Sequence, residues 1–123
     1  MTGLEPFEYA LIRVMPRVER GEVMNAGVIL YSQRHAYLAC RLRLDEGRLR
    51  ALDPGVDLAA VTAALAALEA ECLRAPAAGE SAGARFRWLT ATRSTMVQPG
   101  PVHSGLTADP AAELDHLLEA LVS

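Results

Sequence analysis

The sequence predicts an α+β fold: a mainly antiparallel sheet formed by the N-terminal strands, with helices packed on one face. Three features carry that expectation. The first 44 residues hold three β-prone runs separated by short polar segments, the helical periodicities all begin after Leu44, and no internal repeat or long low-complexity segment interrupts the chain. At 123 residues the chain has the usual length of one domain, able to bury roughly two-thirds of the surface its unfolded form exposes. Residues 1–123 are therefore read as a single domain.

The run Phe7-Glu-Tyr-Ala-Leu-Ile-Arg-Val14 is the first strand, stopped at Met15-Pro16 because proline withdraws a donor from the ladder. Its faces read Phe7, Tyr9, Leu11, Arg13 and Glu8, Ala10, Ile12, Val14. Both are largely apolar, which favours an inner place in the sheet and leaves Arg13 as the exception. Residues 25–31 and 36–44 are the next two strands, joined as a hairpin through Ser-Gln-Arg-His. In the third run Leu38, Cys40, Leu42 and Leu44 alternate with Tyr37, Ala39, Arg41 and Arg43, so one face is expected to be wet and to carry the two arginines.

From Asp45 the period changes to that of a helix. A short piece runs to Leu52, Pro54-Gly55 breaks it, and Asp57 caps a longer helix reaching about Arg74, with Leu58, Val61, Leu65, Leu68 and Cys72 on one stripe. After the loop at Ala75-Pro76, Ser81 caps a short helix carrying Phe86, Trp88 and Leu89. A short strand near 94–98 and an ordered loop through Pro99-Gly100-Pro101 follow. Asp109-Pro110 opens the last helix, whose stripe is Leu114, Leu117, Leu118, Leu121 and Val122. The helices near 57–74 and 109–122 each need an apolar partner, and the sheet is the expected one.

Composition narrows the function classes. Apolar residues make up 51% of the chain and aromatics 5%, so the interior is aliphatic. All twelve basic residues are Arg, with no Lys, which together with the abundant Ala resembles the codon bias of a high-GC genome. Residues 1–50 carry eight Arg against six acids and residues 51–123 four Arg against nine acids, that is +2 and −5, the net −3. Such a balance lacks the footprint of a nucleic-acid binder. Cys40 and Cys72 fall on a strand and a helix that read as buried, where a free thiol behaves as a small hydrophobe. No basic start leads into an apolar run and no stretch approaches bilayer length, so no membrane association and a cytoplasmic location are expected. His35, His103, His116 and the cysteines show no ligand spacing, and neither a metal nor another cofactor is expected.

Two segments concentrate polar chemistry. The connection Arg17-Val-Glu-Arg-Gly-Glu-Val-Met-Asn25 gathers four charges before Ala26-Gly27, in the kind of loop where function sits on a rigid sheet. Its structural alternative is that Arg20, Glu22 and Asn25 pair with one another and close the turn. Gly27 within a strand signals a bulge or a close backbone approach. Later, Arg93-Ser94-Thr95 offers a cation and two hydroxyls, a donor set for phosphate or carboxylate, or else a helix-to-strand junction. His103, in a Pro- and Gly-restrained loop, has the chemistry of a general acid or base. No nucleophile elbow and no paired-carboxylate motif accompanies it.

Tyr9-Ala-Leu-Ile-Arg13, Pro16, Arg20-Gly-Glu22, Asn25-Ala-Gly-Val28, Arg85-Phe-Arg-Trp-Leu89, Arg93-Ser94 and Pro101-Val-His-Ser-Gly105 together resemble the bacterial family filed as domain of unknown function 3037. The likeness spans roughly 7 to 122. It implies a stand-alone bacterial domain, often encoded beside a HipA-like kinase, with no established activity. Its polar residues coincide with the two loops singled out by their chemistry, so Arg13, Arg20, Glu22, Asn25, Arg93, Ser94 and His103 form one candidate cleft.

Two functions from different classes fit these residues. The first is a non-catalytic protein-binding or regulatory module with a protein partner, the HipA-like kinase being the one the resemblance implies. The second is a small enzyme or anion-ligand binder using the Arg, Glu, Asn and His of the cleft. The first is favoured because no catalytic set is recognisable, with Arg20 and Arg93 as anchors for an anionic segment.

Overall fold

In a computed structural model, which describes residues 3–91 and 96–122, Glu5–Val14 (β1) is the strand on which the sheet is assembled. Met24–Ser32 (β2) pairs antiparallel along one edge of β1, and Tyr37–Leu42 (β3) pairs antiparallel with β2. The other edge of β1 is shared by two short antiparallel strands. Val97–Pro99 (β4) lies opposite Ile12–Val14, and His103–Thr107 (β5) lies opposite Glu5–Tyr9. The helices are Glu46–Leu52 (α1), Leu58–Leu73 (α2), Ala82–Leu89 (α3) and Pro110–Leu121 (α4). This is the α+β class with the antiparallel sheet that the sequence predicts.

Each helix starts where the sequence places a cap. The side chains of Asp45, Asp57, Ser81 and Asp109 accept from the backbone N–H three residues on, at 3.0 to 3.2 Å, satisfying donors that the first turn cannot. Pro110 occupies the first turn of α4, where its missing N–H costs nothing.

The helices do not share one face of the sheet, as the sequence reading had them. Ala10, Ile12, Val14, Ile29 and Cys40 meet Leu49 of α1, Val61, Leu65 and Cys72 of α2, and Phe86 and Leu89 of α3 on one side. Phe7, Val28 and Leu30 meet Leu114, Leu117, Leu118 and Val122 on the other. The reason lies in β1 and β2, whose alternate residues are apolar on both sides. A sheet with two apolar faces exposes one of them unless a helix covers each, and burying such a side chain is worth about 1.5–3 kcal/mol. The expected wet face of β3 is therefore the α4 face. Arg41 and Arg43 sit on its rim, half-exposed, and pair with Asp115 and Glu119 of α4 at 3.3 and 2.9 Å.

A second correction concerns residues 103–107, read as part of a loop. Their exposed edge position and polar, Gly-containing sequence carry no buried alternation, and it is the backbone ladder to β1 that makes them a strand. Of the strand expected near 94–98, positions 94 and 95 fall outside the described residues, and the described strand begins at Val97.

Between Ile12 and Arg13 the β1–β2 register slips: Ile12 faces Gly27, Arg13 faces Asn25, and Ala26 is the extra residue of a bulge. The glycine beside it is required by crowding. A Cβ on Gly27 would stand 2.6 Å from the Arg41 carbonyl oxygen and 2.8 Å from Leu42 Cδ2. The bulge turns Asn25 to the α4 side, where its Nδ2 donates to the Leu121 carbonyl at 3.0 Å and ties the end of α4 to β2.

Candidate functional site

The candidate site follows from parity along β1. Tyr9, Leu11 and Arg13 point to the side covered by α4, and so do their partners in the ladder: His103 opposite Tyr9, and Asn25 and Gln98 opposite Arg13. The helix lies over β2 and β3, and Tyr9, Leu11 and Arg13 remain only half-buried beside it while His103 is exposed. An open shelf of sheet therefore runs alongside α4, carrying one cation and two polar rings.

Arg13 is distinguished within it. Arg17, Arg20, Arg41, Arg43, Arg74 and Arg85 each pair with a carboxylate, whereas the buried Nε of Arg13 has no hydrogen-bond partner among the described residues. Gly100, whose N–H donates to the Leu11 carbonyl at 2.7 Å, gives the side chain its room. A Cβ there would stand 3.4 Å from Arg13 Nε and 3.7 Å from its Cζ. Because Gly100 lies beside Leu11, the guanidinium leans from position 13 along the sheet towards Tyr9. The Tyr9 and His103 rings meet at 5.3 Å between centroids with 33° between their planes.

Of the seven residues assigned to one cleft, Arg13, Asn25 and His103 share this face of the sheet. The register nevertheless sets His103 four residues from the Arg13–Asn25 pair, about 13 Å of strand. Arg20 and Glu22 lie past the Val14 end of β1, Arg20 at the end of a single 3-10 turn over Val18–Arg20 and Glu22 just after it, and they pair with each other at 2.8 Å. Arg17 and Glu19 do the same at 2.7 Å, holding the Glu19 carboxyl below its ordinary value through that hydrogen bond. Such exposed pairs are screened by water, add little to stability and close the turn rather than build a pocket. Asn25 is engaged by α4. Arg93 and Ser94 lie outside the described residues. Gly100 and Gln98 were not singled out by their chemistry, and only the paired strands reveal them, since neither residue type signals a site by itself.

A second polar cluster lies at the end of α2. Arg85 is almost wholly buried and donates to the Arg74 carbonyl at 2.6 Å, the Cys72 carbonyl at 3.4 Å and Glu80 Oε1 at 2.6 Å. It thus caps the last turn of α2, where cations favour the carbonyl end of the helix. Arg74 holds Glu80 from the other side at 2.7 Å. The hydrogen bond from Arg85, then that from Arg74, keep the Glu80 carboxyl at about 2. An apolar groove of about 310 Å³ lies between α2 and α3, lined by Ala64, Ala67, Leu68 and Trp88 among others.

The model of the family described as protein of unknown function, DUF3037, matches residues 9–122. The chain belongs to this family. No curated protein and no solved structure matches it. The matched span of the DUF3037 domain contains every residue of the shelf, from Tyr9 to His103. Among the described residues no group of three or more His, Cys, Asp or Glu side chains is placed to hold a metal ion, and no helix is long and apolar enough to cross a membrane.

Proposed function

We propose that this DUF3037 domain is a non-catalytic binding module of the bacterial cytoplasm, whose sheet face beside α4 takes a carboxylate-bearing segment of a partner protein through Arg13. The observation that carries the reading is the half-buried Arg13 guanidinium, whose buried Nε–H has no acceptor among the described residues. Leaving a buried donor unsatisfied costs about 1–3 kcal/mol, and more for a charged group. A carboxylate laid against the exposed part of this half-buried guanidinium offers two acceptors in the plane of its fork and neutralises the charge in one contact. Leu11 and the Tyr9–His103 rings then supply half-buried apolar surface for the rest of the segment.

The partner proposed is the HipA-like kinase implied by the family resemblance. Co-expression of the domain with that kinase is expected to give a complex that co-elutes in size-exclusion chromatography. Arg13→Gln should abolish the complex while leaving the melting temperature close to that of the parent, since the change removes charge without opening a large void. Equal capture by the parent and the Arg13→Gln domain would overturn the reading.

A small anionic ligand on the same arginine is the second reading, favoured by the exposed His103 ring on the same face. Calorimetric binding of free carboxylates or phosphate by the isolated domain, lost in Arg13→Gln, would distinguish it. Turnover dependent on His103 would make that ligand a substrate.

A further inference from the structure

The two cysteines lie 32 positions apart in sequence, Cys40 on β3 and Cys72 in the last turn of α2. Both are buried in the same core cluster, where α2 packs against β3, and Cys72 borders one cavity with Leu38, the β3 residue two before Cys40 on the same face of the strand. They are not equivalent. Cys72 lines a cavity of about 270 Å³ bordered by Ala36, Leu38, Pro76, Glu80 and Arg85, and Cys40 does not. Arg85 overhangs that same last turn, donating to the Cys72 carbonyl at 3.4 Å, and its buried Nε has no hydrogen-bond partner among the described residues.

Cys72 and the buried Arg85 border the same cavity, which admits a water-sized molecule, and a cysteine beside a cation is the one that peroxide oxidises when it gains access. We infer that Cys72 and Cys40 form a redox-active pair, with Cys72 as the thiol attacked by hydrogen peroxide entering this cavity and Cys40 as the resolving thiol. The Cys72 sulfur attacks one peroxide oxygen, the O–O bond breaks, and the departing hydroxide takes the thiol proton as water, leaving a sulfenic acid. The Cys40 sulfur then attacks the Cys72 sulfur, the S–O bond breaks, and a second water leaves. Two thiols are oxidised to one disulfide and one peroxide is reduced to two waters.

Oxidation would clamp the end of α2 to β3. The test is to treat the folded chain with hydrogen peroxide, then unfold it and alkylate the remaining thiols. The expected result is loss of both alkylation sites, a peptide containing Cys40 linked to Cys72 within one chain, restoration of both sites by dithiothreitol, and a higher melting temperature for the oxidised form. In Cys40→Ser a dimedone-reactive sulfenic acid should accumulate at Cys72, and in Cys72→Ser the reaction should be at least tenfold slower. Thiols that stay alkylatable after peroxide, links only between chains, or equal oxidation of Cys40 in Cys72→Ser would each overturn the inference. Should either serine variant fail to fold, the parent chain's alkylation and peptide map decide the matter alone.

Discussion

At the scale of the residue, two glycines show how the same absence of a side chain serves different ends. Gly27 is enclosed by backbone: the Arg41 carbonyl oxygen lies 2.6 Å from where its Cβ would be, and a strand held in a ladder on both sides has nowhere to move. Gly27→Ala is expected to destabilise the domain by about 1–3 kcal/mol, the usual cost of overpacking a tight site, read as a lower urea midpoint at unchanged slope. Gly100 is bounded by a side chain instead. Gly100→Val adds branched carbon to a Cβ that would already touch Arg13, 3.4 Å from Nε and 3.7 Å from Cζ, so the guanidinium should be displaced with little change in the urea midpoint. If Arg13 acts as proposed, Gly100→Val weakens partner capture in the same co-elution experiment as Arg13→Gln.

At the scale of the element, the end of α2 is held by charge as well as by the burial of Cys72 in the core. Glu80 bridges Arg74 and Arg85, and Arg85 in turn satisfies two carbonyls that the helix leaves open. Since the folded state holds Glu80 at about 2 against 4.5 in the open chain, the folded state is the weaker proton binder. Stability from this carboxylate is complete above the unfolded value and is lost as pH falls through the window between them. Melting temperature should therefore drop between pH 4.5 and pH 2, and Glu80→Gln should lower stability at neutral pH while flattening that part of the profile. A profile for Glu80→Gln parallel to that of the parent would show that the acid sensitivity arises elsewhere.

At the scale of the whole molecule, one sheet separates two cores. Leu65 in α2 and Leu114 in α4 lie on opposite sides and are 4% and 0% exposed. Each Leu→Ala change is expected to cost about 2–5 kcal/mol. Because β1 and β2 carry residues of both cores, neither layer retains its partner when the sheet is lost, and both variants should shift a single unfolding transition. The double variant should be additive within about 0.5 kcal/mol, as for distant sites without shared partners. Two separate transitions in urea, one sensitive to each leucine, would show that the layers unfold independently.

Much of this architecture is legible locally. The caps at Asp57, Ser81 and Asp109, the stripes of α2 and α4 and the hairpin of β2 and β3 rest on contacts between neighbours in sequence or on a period that a short segment carries by itself, so the sequence alone determined them. Of the structural alternative for the loop before β2, Arg20 and Glu22 do pair, whereas Asn25, its third member, bonds the Leu121 carbonyl instead. Other features depend on long-range pairing. Apolar alternation on both sides of β1 shows that each face must be covered but not by which helix, and only packing placed α4 opposite α2. The segment His103–Thr107 has no strand signal because its partner, β1, supplies the order. Arg13, Asn25 and His103 come to one face through register and a single-residue bulge, whereas the same register keeps His103 apart from Arg20 and Glu22. Period and capping are properties of a segment, while register and face are properties of a pair of segments, and a linear sequence carries the first without the second.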